Sequence, residues 1–227
     1  MCIRFTGKTP HIKHFCAVIA AGTLCIHFVY ANTQPKPAIL DAKALNKPLL
    51  QSFQGNTFLH NTLIPYDHPL IEKFRKQYMC ADGYNYLSKI MKRSAPYRDF
   101  IIELLESENM PAELLFLPVI ESGFFETATS KSGAVGIWQF MKNSVGGFNI
   151  HIDDWVDERR DPWKTSVAAV KKLKWNYSQF NDWPLALAAY NSGVGAIRAA
   201  IKKGGKADYW YLAEHGYLKK ETLYYVP

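Results

Sequence analysis

The chain has 227 residues, 48% of them hydrophobic and 14% aromatic, which is enough for one or two domains with a real apolar core and excludes a disordered chain. Its formal charge is +7, but Arg4, Lys8 and Lys13 lie in a 31-residue N-terminal stretch without an acid, so the remainder carries a mild +4. That balance suits an anionic polymer or a membrane surface. Lys171-Lys172, Lys202-Lys203 and Lys206 lie beside helical patterns and are expected to be solvated faces, so nucleic acid is not expected as a partner.

Residues 1–14 are basic, and Phe15 to Tyr30 is an apolar run broken only by small residues and His27, closing on Val29-Tyr30-Ala31. This is the pattern of an export signal, with cleavage expected after Ala31, and it implies a periplasmic or cell-envelope location. The run, about 16 residues, is short for a spanning helix. Retention as an uncleaved anchor, giving membrane association through the leader, is the alternative, whereas bulky Leu24 before Cys25 disfavours a lipoprotein. Cys2, Cys16 and Cys25 fall in the leader and leave Cys80 alone, so no internal disulfide is expected. His60, His68, His151 and His215 show no ligand spacing, and neither a metal nor a cofactor is expected.

Residues 32–65 are polar, rich in Asn, Gln and Pro, and aperiodic, as a tether or extended arm would be. From Tyr66 the pattern turns helical. Leu70, Ile71, Phe74 and Tyr78, then Tyr84, Leu87, Ile90 and Met91, recur at three-to-four spacing, and a further helix is predicted over Ala95 to Ser107 with Pro96 in its first turn. These make an N-terminal helical segment, 66–109, packing on a domain that runs from 110 to 227. Pro111 is expected to open a helix through Glu121 whose body, Leu114-Leu115-Phe116-Leu117-Pro118-Val119-Ile120, is apolar all round and therefore interior.

Glu121, followed by the helix stop Ser122-Gly123, is the most informative carboxylate. At the end of a buried helix it loses hydration, which raises its pKa and makes it a proton donor near neutral pH; turned to solvent it is an ordinary glutamate. The loop from Gly123 to Val135 carries hydroxyls, and Gly136-Ile137-Trp138-Gln139-Phe140-Met141 mixes aromatic surface with an amide. Saccharides suit that mixture, since their C–H faces meet aromatics and their hydroxyls meet amides, although Trp138 and Phe140 fit core packing equally well. Asp161-Pro162 and Asp182 with Pro184 begin two more helices, the second rich in small apolar residues through Ala189-Tyr190-Asn191 and stopping at Ser192-Gly193. Gly195 to Ile201 suggests another, ending at Gly204-Gly205. No strand of useful length and no repeat appears, so the domain is expected to be all-α.

Glu121-Ser122-Gly123, Gly136-Ile137-Trp138-Gln139 and Ala189-Tyr190-Asn191-Ser192-Gly193, in this order, together resemble the lytic transglycosylase family. The likeness covers roughly Tyr66 to Pro227. It is strengthened by Met110 to Glu113 leading into Leu117 to Ser122, by Asp157 to Asp161 and by Glu221 to Pro227. The resemblance implies a lysozyme-like helical domain acting on the peptidoglycan glycan strand, where Glu121 serves first as general acid and then as general base. The product would be a 1,6-anhydromuramoyl end, formed without water. By position it also implies that Ser130 and Gln139 orient substrate, and that Tyr190 and Asn191 bracket the acid. Tyr190 would donate to Glu121 or to the sugar's N-acetyl oxygen, or else simply pack. Glu126, Asp153, Asp154, Asp157 and Glu158 are assigned no chemistry. The resembling proteins continue past Pro227 into further helix and wall-binding repeats, so the domain is expected to be truncated. Two alternatives stand beside this reading: a goose-type lysozyme-like muramidase that uses water, and a catalytically silent wall-binding module.

Overall fold

The computed structural model describes residues 68–227; the expected leader (1–31) and tether (32–65) lie outside them. Among the described residues the α-helices are α1 (Pro69–Tyr78), α2 (Ala81–Ser107), α3 (Leu117–Glu121), α4 (Pro162–Phe180), α5 (Trp183–Ser192), α6 (Val194–Gly204), α7 (Tyr209–Glu214) and α8 (Lys220–Leu223). No strand forms there. Thr129 with Val135, Val135 with Phe140 and Ile152 with Asp157 pair only as isolated bridges that brace the long connection between α3 and α4. The all-α expectation is met, and no described helix is long and apolar enough to cross a membrane.

The Asp-Pro punctuation works as its chemistry requires. Asp161 accepts from the N–H groups of Trp163 and Lys164 at 2.9 and 3.0 Å, and Asp182 accepts from Leu185 at 2.7 Å. Pro162 and Pro184 then occupy first-turn positions whose N–H groups have no intrahelical partner to lose.

Two proline readings need correction. Pro96 does not open a helix; it lies inside α2, which runs unbroken for 27 residues. Pro96 is exposed and has no N–H for the Lys92 carbonyl, while the buried Ser94 hydroxyl donates to the Met91 carbonyl at 2.7 Å in the turn its ring crowds. The apolar stripe of Ile90, Tyr97, Ile101 and Leu105 continues through that turn, and burial outweighs the local defect. Residues 111–121, in contrast, are not one helix. Ala112–Phe116 winds as a 3₁₀ turn and α3 starts afresh at Leu117, because a continuous α-helix would need a Pro118 N–H for the Leu114 carbonyl. The break leaves Phe116 43% exposed, whereas Leu114, Leu115, Leu117, Pro118 and Val119 are buried.

α5 is the hub. Every residue from Leu185 to Tyr190 is buried, and the helix packs against α4, α6, α7 and α8. Ala186, Ala188 and Ala189 leave so little side chain that four neighbours can approach its backbone. α2 packs on α4 and on the 112–116 turn, so the core is continuous from Ile90 to Val226. One end of α5 therefore meets the end of α3 and the loop between α3 and α4, where Glu121 lies.

Candidate active site

Glu121 is the last residue of α3, and the backbone turns sharply after it. Gly123 and Phe124 both take left-handed conformations at φ 61°, unusual for a buried phenylalanine. The turn is held from both sides. The buried Ser122 hydroxyl donates to the Ile137 carbonyl at 2.9 Å, and the Arg93 Nε of α2 donates to the Gly123 carbonyl at 2.7 Å. Arg93 also lies over the Phe125 ring, 4.0 Å from its centroid.

So fixed, the carboxyl is drawn inward and not into bulk water. Burial pushes its pKa up from 4.5 to about 7, against a hydrogen bond from the Tyr225 hydroxyl to Oε1 and the positive charge of Lys172, which pull it down; the charge of Glu221 adds a smaller upward push. A carboxylic acid that titrates near neutrality can give up a proton and take one back at the pH where it works.

The loop opposite Glu121 is built on Arg159. This buried guanidinium is clamped by Asp157 (Nε to Oδ1 2.8 Å, Nη2 to Oδ2 2.6 Å) and donates to the carbonyls of Gly133 and Phe140 at 2.9 and 3.2 Å. Gly136 passes so close that a Cβ there would stand 1.9 Å from the Arg159 carbonyl oxygen. Trp138, fully buried, donates through Nε1 to Ser166 at 2.9 Å. Of the two readings of Trp138 and Phe140, core packing is the one observed, since both are buried.

The expected site residues sit around this framework with their polar groups largely engaged. Ser130 Oγ accepts from the Ala134 N–H at 2.9 Å. Gln139, itself at φ 49°, donates its amide to the Gly136 and Ala128 carbonyls at 2.8 and 3.4 Å. Asn191 Oδ1 accepts from the Thr222 hydroxyl at 2.9 Å, which ties α5 to α8. Of the alternatives for Tyr190, donation to Glu121 is not the one observed. The buried Tyr190 hydroxyl donates to the Trp138 carbonyl at 3.0 Å, although it lies close enough for the Glu121 charge to add to the burial that raises its own pKa.

Three groups that act on the acid escaped the sequence reading. Tyr225 donates to Glu121 across 104 residues of chain. Lys172, expected on a solvated face, is only partly exposed, with its ammonium 4.3 Å from the Tyr190 ring centroid and 5.3 Å from that of Phe140. Glu221, on α8, is the acid whose charge reaches Glu121, while Glu126 is exposed in the following loop. Only Tyr225 and Glu221 carried a signal, since both lie in the C-terminal segment that resembles the family.

A helical domain whose α3 ends in a desolvated glutamate, braced by the 136–140 loop and the end of α5, belongs to a known class. The family described as Transglycosylase SLT domain matches residues 99–213, about half of the chain; the chain belongs to that family and has its lysozyme-like fold. It is 36% identical to membrane-bound lytic murein transglycosylase D of Escherichia coli (strain K12) over 148 residues, 63% of this chain and 32% of that protein. It is also 32% identical to peptidoglycan transglycosylase gp16 of Escherichia phage T7 over 99 residues, 42% of this chain and 8% of that protein. The chain thus matches about a third of the length of the first relative and a small part of the second.

Proposed function

We propose that the chain is a peptidoglycan lytic transglycosylase that cleaves the β-1,4 bond between N-acetylmuramic acid and N-acetylglucosamine without consuming water. The observation that carries this reading is the partly buried Glu121 carboxyl at the end of α3, lifted to about 7 by desolvation. In the first step Glu121 gives its proton to the glycosidic oxygen. The bond from that oxygen to the muramoyl C1 breaks, and the glucosamine leaves with a new hydroxyl at C4. The substrate's own N-acetyl carbonyl supports the positive charge on C1. In the second step the Glu121 carboxylate takes the proton of the muramoyl C6 hydroxyl as its oxygen bonds to C1, closing the 1,6-anhydro ring and restoring the acid. One carboxyl serves twice, where hydrolytic glycosidases use a second carboxylate.

Around it, the Ser130 hydroxyl and the Gln139 carbonyl end orient the sugar. Tyr190 and Asn191 fix the wall beside the acid through their bonds to Trp138 and Thr222. The basic and then apolar N-terminal pattern supports the periplasm or cell envelope as the place of this activity, on the glycan strand.

The hydrolytic alternative has one observation in its favour, the nearness of Glu221, a second carboxylate that could activate water. Mass spectrometry of digested sacculi separates the two. Anhydromuropeptides are expected, and reducing-end muropeptides alone would overturn the non-hydrolytic reading. Glu121→Gln is expected to abolish turnover, by at least about 100-fold, while circular dichroism stays that of the folded protein. Wall binding without any product, unchanged by that substitution, would mark a silent module instead.

A further inference from the structure

We propose that Lys172 is a positioning residue of this site: its ammonium, held over the ring faces of Tyr190 and Phe140, is the fixed positive charge against which the Glu121 carboxylate forms when the proton leaves. This rests on the reading of Glu121 as the proton donor. Lys172 projects from α4, one turn beyond the buried Ala168 and Ala169 and next to the buried Leu173. A lysine at such a position ordinarily carries its ammonium out to water on its flexible stem. Here the ammonium stands 4.3 and 5.3 Å from two ring centroids instead, and cation–π attraction replaces part of the lost hydration.

The two rings are not free to move. The Phe140 ring is buried in the core, and the Tyr190 ring is held through its hydroxyl to the Trp138 carbonyl. The ammonium is therefore seated on the same loop-and-helix framework that seats the acid.

The groups whose charge or hydrogen bond acts on Glu121 come from three elements. Tyr225 and Glu221 arrive from α8 and the residues after it, Tyr190 from α5, and Lys172 from α4. Among these four, Lys172 alone is cationic; two are neutral phenols and one is an acid. Proton donation converts a neutral carboxylic acid into a carboxylate at a partly buried position, where its hydration is reduced. The Tyr225 hydroxyl can answer that charge with a hydrogen bond, and Lys172 with a full opposite charge. The attraction is reciprocal: burial lowers the Lys172 pKa and the Glu121 charge raises it.

The test uses the full chain with Lys172→Met and Lys172→Arg, and follows the Glu121 carboxyl by carbon-13 NMR, its resonance assigned from Glu121→Gln. In Lys172→Met the Glu121 titration midpoint is expected to move up by about one pH unit, and the alkaline limb of turnover on sacculi to move with it. Turnover on the acidic plateau is expected to fall several-fold, since the carboxylate formed has lost its counter-charge. Lys172→Arg, which keeps the charge, is expected to restore the midpoint towards that of the unsubstituted chain. A midpoint unchanged in Lys172→Met overturns the proposal, and so does a shift that Lys172→Arg reproduces, since that would be a packing effect. If Lys172→Met does not fold, Lys172→Gln carries the same test. The NMR midpoint needs no turnover: activity retained in Glu121→Gln would overturn the reading of the acid and leave the measured coupling intact.

Discussion

Tyr225 is the side chain that most directly controls the proton on Glu121. Its hydroxyl donates to Oε1, and a donor to a carboxylate stabilises the charged form, so the contact offsets part of the desolvation that raises the acid. Tyr225→Phe removes the donor and keeps the ring. The Glu121 midpoint is then expected to rise above about 7 by roughly one pH unit, and turnover at pH 6, where the acid stays protonated, to fall several-fold because the carboxylate formed has lost its donor. A pH profile of turnover beside a carboxyl NMR titration checks both, and a midpoint moving down would mean that the hydroxyl serves the neutral acid instead. The residue scale also shows what a linear reading can reach. Glu121 is legible because an apolar run ends in a carboxylate and then a helix stop, all within ten residues. The contacts of Tyr225 and Lys172 with the acid are not, because they arise across the fold: the segment of Tyr225 resembles the family without showing what it touches, and a lysine in a helical pattern looks alike whether its ammonium meets water or an aromatic face.

At the scale of elements, the loop from Ala128 to Phe140 behaves as a solid part. It is bonded to the cap residue of α3 through Ser122 and Ile137, to α4 through Trp138 and Ser166, to α5 through Trp138 and Tyr190, and to itself through Gln139. Gly136 is where this part is least tolerant. Its φ of 80° and the Arg159 carbonyl oxygen 1.9 Å from any added Cβ leave no room for a side chain. Gly136→Ala is expected to cost about 3 kcal/mol or more of unfolding free energy in urea titrations, from backbone strain and the displaced Arg159 together. Ser122→Ala, which leaves the buried Ile137 carbonyl without this donor, is expected to cost about 1–2 kcal/mol. The start of each Asp-Pro helix was legible, because capping is a local event settled within four residues. The continuity of α2 through Pro96 and the break before Pro118 were not. The same residue type bends to tertiary packing in one case and ends a helix in the other, and the difference lies in what the neighbouring stripe buries. α7 and α8 are too short to show a period at all.

Across the whole molecule, a protonatable group held away from water sets a conflict between activity and stability that pH makes measurable. In the unfolded chain Glu121 titrates near 4.5, and in the fold near 7. Below pH 4.5 both states hold the proton and the carboxyl contributes no difference. Between the two values the folded state keeps a proton that the unfolded state has released, so stability falls as pH rises, by about 1.4 kcal/mol per unit. Above pH 7 both states have lost it, and the fold carries a partly desolvated carboxylate at a total cost of about 3 kcal/mol relative to acid conditions. Gln fills the same space with a neutral amide and cannot titrate. Urea unfolding of the two proteins should therefore give nearly equal stabilities at pH 4, with Glu121→Gln the more stable by about 2–3 kcal/mol at pH 8. Because all other titrating groups are shared, subtracting one curve from the other isolates this carboxyl. A difference that stays constant between pH 4 and 8 would place Glu121 in water and remove the physical basis for its role as the proton donor.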